Sequence, residues 1–145
     1  MEITGPYGPH EHKDRLVPSV ICSLMQGETA RCSHGGQVRD FLHVEDVASA
    51  FVAILKSEVQ GPINIASGLP ISLKELVTKI GERFGRGYLI QLNGIGVPSS
   101  DPPLLVAQNK RLKEEVHWNP RYSIEEGLDQ TIRWWTTHGN TVAHH

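Results

Sequence analysis

No apolar run in this chain approaches the roughly 18 to 20 residues that a bilayer span requires. The opening stretch, MEITGPYGPHEH, also lacks the basic-then-apolar pattern of a secretory signal. Neither sign of charge dominates: 14 basic residues stand against 16 acidic ones, for a net charge of -2, with no long block of like charges. Nucleic acid and membrane are therefore not expected partners. Cysteine is scarce, and Cys22 and Cys32 are too few to staple a secreted fold or to build a structural zinc set. Both read as reduced thiols, and a cytoplasmic protein is expected.

Eight histidines invite a metal site, but His10 and His12 lie in a proline-flanked loop and His144 and His145 are terminal. No third ligand has suitable spacing, so no metal is expected. No Gly-x-Ser-x-Gly elbow exposes a serine nucleophile, which leaves an acyl-transfer triad without support. The one glycine-rich candidate for a dinucleotide loop, GIGVPS from Gly94, lacks its third glycine and carries Pro98.

What is present is a globular composition, 39% hydrophobic and 21% charged over 145 residues, enough to bury a core. Pro18 suits a helix start, with Val20, Ile21, Leu24 and Met25 on one face and Gly27 as the stop. TARCS and VRDFLHV read as short strands around the loop His34 to Gly36. From Glu45 the period becomes helical through Val47, Phe51, Ile54 and Leu55, and GPINIAS follows as a buried strand. In ISLKELVTKIGERFG, Ser72 and Glu75 form a capping box before an apolar face that Gly85 ends. YLIQL reads as a strand, and residues 93 to 103, with two glycines and three prolines, as a loop long enough to bind something. Asn109 is a candidate cap for a short helix, and Ser123 with Glu126 repeats the capping box for a last one. The order of elements predicts an α/β (mixed α+β) class, with residues 1–137 as one domain and 138–145 as a disordered tail.

Within GGQVRDFLHVEDVASAF, Arg39 follows paired glycines on a strand. Its guanidinium offers a planar fork of donors that matches phosphate oxygens. The plainer reading is an ion pair with Asp40, Asp46 or a surface carboxylate. His43, in the same motif, reads as a hydrogen-bonded structural histidine.

That motif resembles a hallmark of the extended short-chain dehydrogenase/reductase family, the NAD-dependent nucleotide-sugar epimerases and dehydratases. YGPHEHKDRLVPSVI, GPINIASGLPISLKELVTKIGERFG and RLKEEVHWNPRYSIEEGLDQTIRWW resemble further segments in the family's order. The resemblance implies the C-terminal, nucleotide-sugar-binding portion of such an enzyme, lacking most of the Rossmann sheet. It places Arg39 at the diphosphate, Asp101 near it, and Leu16, Val17, Ala30 and Cys32 around the base. Two of the family's parts have no counterpart: the Gly-x-x-Gly-x-x-Gly loop for NAD, and the Tyr-x-x-x-Lys pair that serves as acid and base. Tyr7, Tyr88 and Tyr122 are followed four residues on by Glu11, Leu92 and Glu126. Thr4 and Gly5 stand where Phe-Asn is common, and Pro98 where an arginine is usual. The chain alone is expected to bind no cofactor, NAD belonging to the full-length family, and to be non-catalytic by itself. The expected partners are a nucleotide-sugar, a protein carrying the Rossmann half, and further copies of this chain. A non-catalytic partner-binding or self-associating module is the alternative.

Overall fold

Local sequence accounts for the helices of the computed structural model, which describes residues 5–143, with side chains through residue 138. The first helix, α1 (Leu16–Met25), begins two residues ahead of Pro18. It ends where Gly27 turns at φ +72° and Arg86 donates to the carbonyls of Leu24 and Met25. In α2 (Val44–Lys56) the acidic residues Glu45 and Asp46 occupy the first turn, as the helix dipole favours. The Ser72 hydroxyl accepts from the Glu75 amide to open α3 (Leu73–Phe84), and Gly85 closes it in the left-handed conformation.

Asn109 precedes α4 (Lys110–Glu114) without capping it, because its side-chain amide donates to the Ala66 carbonyl instead. The capping box of Ser123 and Glu126 opens α5, Ile124–Ala143. This helix runs through residues 138–143, where a loose tail is expected, since no proline interrupts it. Residues 144 and 145 lie outside the described residues.

The strands are short and are defined by non-local pairing. β1 (Gly5–Tyr7) runs parallel to β4 (Phe41–His43), and β2 (Ala30–Arg31) parallel to β6 (Ile90–Gln91). β3 (Val38–Arg39) is the central strand of the third sheet, antiparallel to β5 (Ile71–Ser72) and parallel to β7 (Leu104–Leu105). VRDFLHV is thus two strands broken at Asp40. GPINIAS is buried at Ile63, Ile65 and Ala66, yet only Ile65 forms a bridge, so the expected strand is an extended segment. Packing rather than a ladder holds it. A main core joins α1, α3 and α5 through Ile21, Leu24, Leu76, Ile80, Leu128 and Trp135. A smaller one gathers Leu42, Val47, Ala50, Ile63, Ile65, Leu112 and Trp118 beneath α2.

Mixed α/β architecture is what results. The glycines ahead of β3 have a physical reason. Gly35 sits at φ +81°, and a Cβ there would lie 2.7 to 3.0 Å from the side chain and main chain of Lys74. The contact is tied by hydrogen bonds from Lys74 N to the Gly35 carbonyl and from Leu73 N to the Gln37 carbonyl, both 2.9 Å. Glycine is what allows β3 to lie on the start of α3.

Candidate functional site

β3 carries Gln37, just before its first residue, and Arg39 on the same side, because strand side chains alternate. Both reach Asp101, which the loop 93–103 brings over the strand. Arg39 Nη2 donates to Asp101 Oδ1 at 2.7 Å, and Gln37 Nε2 donates to Oδ2 at 3.1 Å. Arg39 Nη1 is held by the Val38 carbonyl at 2.9 Å. The side chains of Arg39 and Asp101 are 16% and 32% exposed, so the pair stands at a cleft wall rather than in open solvent.

The carboxylates of Asp40 and Asp46 have backbone partners of their own. Asp40 is buried and accepts from the amides of Ser67 and Gly68 at 2.9 and 2.8 Å. Asp46, also buried, accepts from the amides of Arg121 and Tyr122 at 2.9 and 3.0 Å. Both carboxylates tie distant loops to the motif.

The cleft, of about 760 Å³, is lined by Arg39, Asp101, Leu16, Phe41, Leu73 and Leu105, with Gly5, Asp14, Arg15, Val106 and Ala107 around it. A smaller apolar pocket of about 210 Å³ shares Leu16, Leu73 and Asp101 with it and extends over Cys32, Val77, Leu92 and Ile95. α1 points its start at the cleft, and Arg15 supplies no side-chain cap there. An anion is favoured at such an end.

Of the six site residues expected from the sequence, Leu16, Arg39 and Asp101 line the larger cleft, while Leu16, Cys32 and Asp101 line the smaller pocket. Val17 and Ala30 line neither, being enclosed in the main core. Val17 is turned about 100° from Leu16 around the helix, and this carries it inward. Gln37 was not anticipated, although its two-residue spacing from Arg39 was a usable signal. Leu73, Leu105 and Phe41 converge through strand pairing that no local pattern announces.

His43 caps α2, its Nδ1 accepting from Glu45 N at 3.1 Å, which leaves the proton on Nε2. Burial pushes its pKa down, against the opposing effects of Gln130, Glu45 and Asp46. The ring stacks on Tyr122 with centroids 4.1 Å apart and meets Tyr7 edge-on. It orders the motif, as the sequence suggests.

Residues 1–66 match the model of the NAD dependent epimerase/dehydratase family. Human dTDP-D-glucose 4,6-dehydratase is 32% identical over 139 residues, a match covering 89% of this chain and 39% of that protein. The CDP-abequose synthase of Salmonella typhimurium is 25% identical over 140 residues, covering 92% of this chain and 46% of that one. The crystal structure of dTDP-glucose 4,6-dehydratase from Bacillus anthracis in complex with NAD superposes with a TM-score of 0.85 at 25% identity. That match covers 95% of this chain and 44% of the dehydratase.

The chain belongs to the NAD-dependent epimerase/dehydratase family.

As a member of this extended short-chain dehydrogenase/reductase family it spans less than half the length of the relatives it matches. α2 and α3 each open on a side-chain cap, His43 and Ser72, with acidic residues in the first turn where a pyrophosphate would need free amides. Neither Tyr7 nor Tyr122 is an activated phenol. Burial pushes the Tyr7 pKa well up, and the hydrogen bond to Glu45 raises that of Tyr122. An acid/base tyrosine needs the opposite shift. No helix of the described residues is long and apolar enough to cross a membrane.

Proposed function

We propose that this chain is the nucleotide-sugar-binding part of an epimerase or dehydratase, with the NAD-binding half and the chemistry supplied by another polypeptide segment or chain. The observation that carries this reading is the position of Arg39: a guanidinium on a cleft wall, beside a second pocket that is apolar and shares three lining residues with the first. A charged diphosphate at Arg39, with a flat base against Leu16 and Cys32, fits the polar and apolar division of the two spaces. The named relatives act on CDP- and dTDP-linked sugars, in keeping with such a ligand. A cytoplasmic location goes with this reading.

The exposed face of α2 supports the need for a partner. Val44, Phe51, Val52 and Leu55 form an apolar stripe at helical spacing, and Leu55 is 82% exposed. The two-residue and three-residue parallel strands nearby are of a kind usually buried inside larger sheets. A Rossmann half or a second copy of the chain would cover them. The same stripe is what favours the second reading, a self-associating module without catalytic function.

Calorimetric titration with UDP-, dTDP-, CDP- and GDP-sugars tests the first reading. Binding of at least one of them, weakened about ten- to a hundredfold in Arg39→Ala, is the expected result. Equal affinity in the two proteins would remove Arg39 from the site.

A further inference from the structure

Arg39 meets the cleft already occupied. Bidentate recognition of a phosphate takes two donors from one edge of the guanidinium. Here Nη2 is given to Asp101 at 2.7 Å and Nη1 to the Val38 carbonyl at 2.9 Å. The carboxylate therefore lies where an anionic oxygen would lie. Asp14, Arg15 and Asp40 also line the cleft, so with Arg39 two cations face three carboxylates, and Asp101 decides whether the charge balance is negative or neutral. Asp40, although nearby, is committed to the amides of Ser67 and Gly68.

We propose that Asp101 is an internal competitor for the anion site, a carboxylate latch on Arg39 that a bound diphosphate must displace. The proposal rests on the reading of Arg39 as the anion clamp and adds a residue that sets its affinity. Three features make the latch releasable. Asp101 belongs to the loop 93–103 rather than to a helix or strand. Its side chain is 32% exposed, so water can take the place of the guanidinium. Gln37 stays bonded to the other carboxylate oxygen at 3.1 Å and keeps the released group from being stranded. The cost of displacing the carboxylate is common to any anion, and a diphosphate offsets it better than a single weak anion because it brings two charged groups to the same fork and to the uncapped start of α1.

The test uses inorganic pyrophosphate as the probe, titrated calorimetrically into the wild-type chain, Asp101→Asn, Arg39→Ala and the double variant. Asp101→Asn is expected to bind pyrophosphate about tenfold more tightly than wild type, and the gain is expected to vanish when Arg39 is alanine. Inorganic phosphate must displace the same carboxylate, so it is expected to gain by a similar factor in Asp101→Asn, and that gain too is expected to vanish when Arg39 is alanine, a coupling that a merely structural role would not produce. Circular dichroism of each variant establishes that it is folded. Weaker or unchanged pyrophosphate binding in folded Asp101→Asn, with binding still lost in Arg39→Ala, would overturn the latch while leaving the clamp intact. Equal pyrophosphate binding by Arg39→Ala and wild type would overturn the clamp and the latch with it.

Discussion

Replacing Glu11 by glutamine is expected to stabilise the protein at alkaline pH and to leave it nearly unchanged in acid. The Glu11 side chain is only 16% exposed, its Oε1 has no hydrogen-bond partner, and its closest cation, Arg15 Nε, stands 3.6 Å from the other oxygen. Burial dominates over Arg15 and the Gly8 backbone contact and pushes the carboxyl from an ordinary 4.5 up to about 7. The folded state thus holds the proton more tightly than the unfolded chain does. Stability is full below about 4.5, falls as pH rises toward about 7, and has lost its whole increment above that. At roughly 1.4 kcal/mol for each tenfold change in proton affinity, the penalty of ionised Glu11 reaches about 3 kcal/mol at pH 8 and is under about 1 kcal/mol at pH 5. Urea unfolding of wild type and Glu11→Gln at those two pH values measures it. With a slope of about 1 to 3 kcal/mol per molar, the midpoint of the variant rises by about 1 to 3 M at pH 8 and by much less at pH 5. A difference between the proteins that is independent of pH, or that favours wild type at pH 8, would refute the argument from burial.

Asp40→Ala removes two charge-assisted bonds and leaves the amides of Ser67 and Gly68 without that acceptor, at a cost of about 3 to 5 kcal/mol. Differential scanning calorimetry is expected to show a melting temperature lower by about 10 °C, and a change within a degree would contradict the role assigned to it. Lysine at both Phe51 and Leu55, on the exposed stripe of α2, is expected to lower self-association measured by light scattering, with little change in melting temperature. Oligomers unaffected by these two charges would mean that the stripe is not the contact.

What could be read in advance was local. The helix of Ser72 to Gly85 needs only its own residues: a capping hydroxyl, an apolar face and a left-handed stop. The mixed class followed from the order of such elements. PINIA misled because a short apolar run describes burial, while a strand needs a partner, and Ile65 alone finds one. Asp40 and Asp46 were legible as charges but not as anchors, since the amides they hold are 27 to 76 positions away. The site divided in the same manner. Arg39 stood out by residue type and by its motif, yet its tie to Asp101 spans 62 positions and depends on how a proline-rich loop crosses β3. Val17 and Ala30 stand close in sequence to Leu16 and Cys32, which line a pocket, and the rotation of helix and strand took them inside.

The register of β3 has a wider consequence. Arg39 is set opposite Ile71 on one side and Leu105 on the other by main-chain ladders. Its foothold therefore owes little to the identity of the surrounding side chains. Side chains on the floor and rim of the cavity can change while the Arg39 cation keeps its place on the wall.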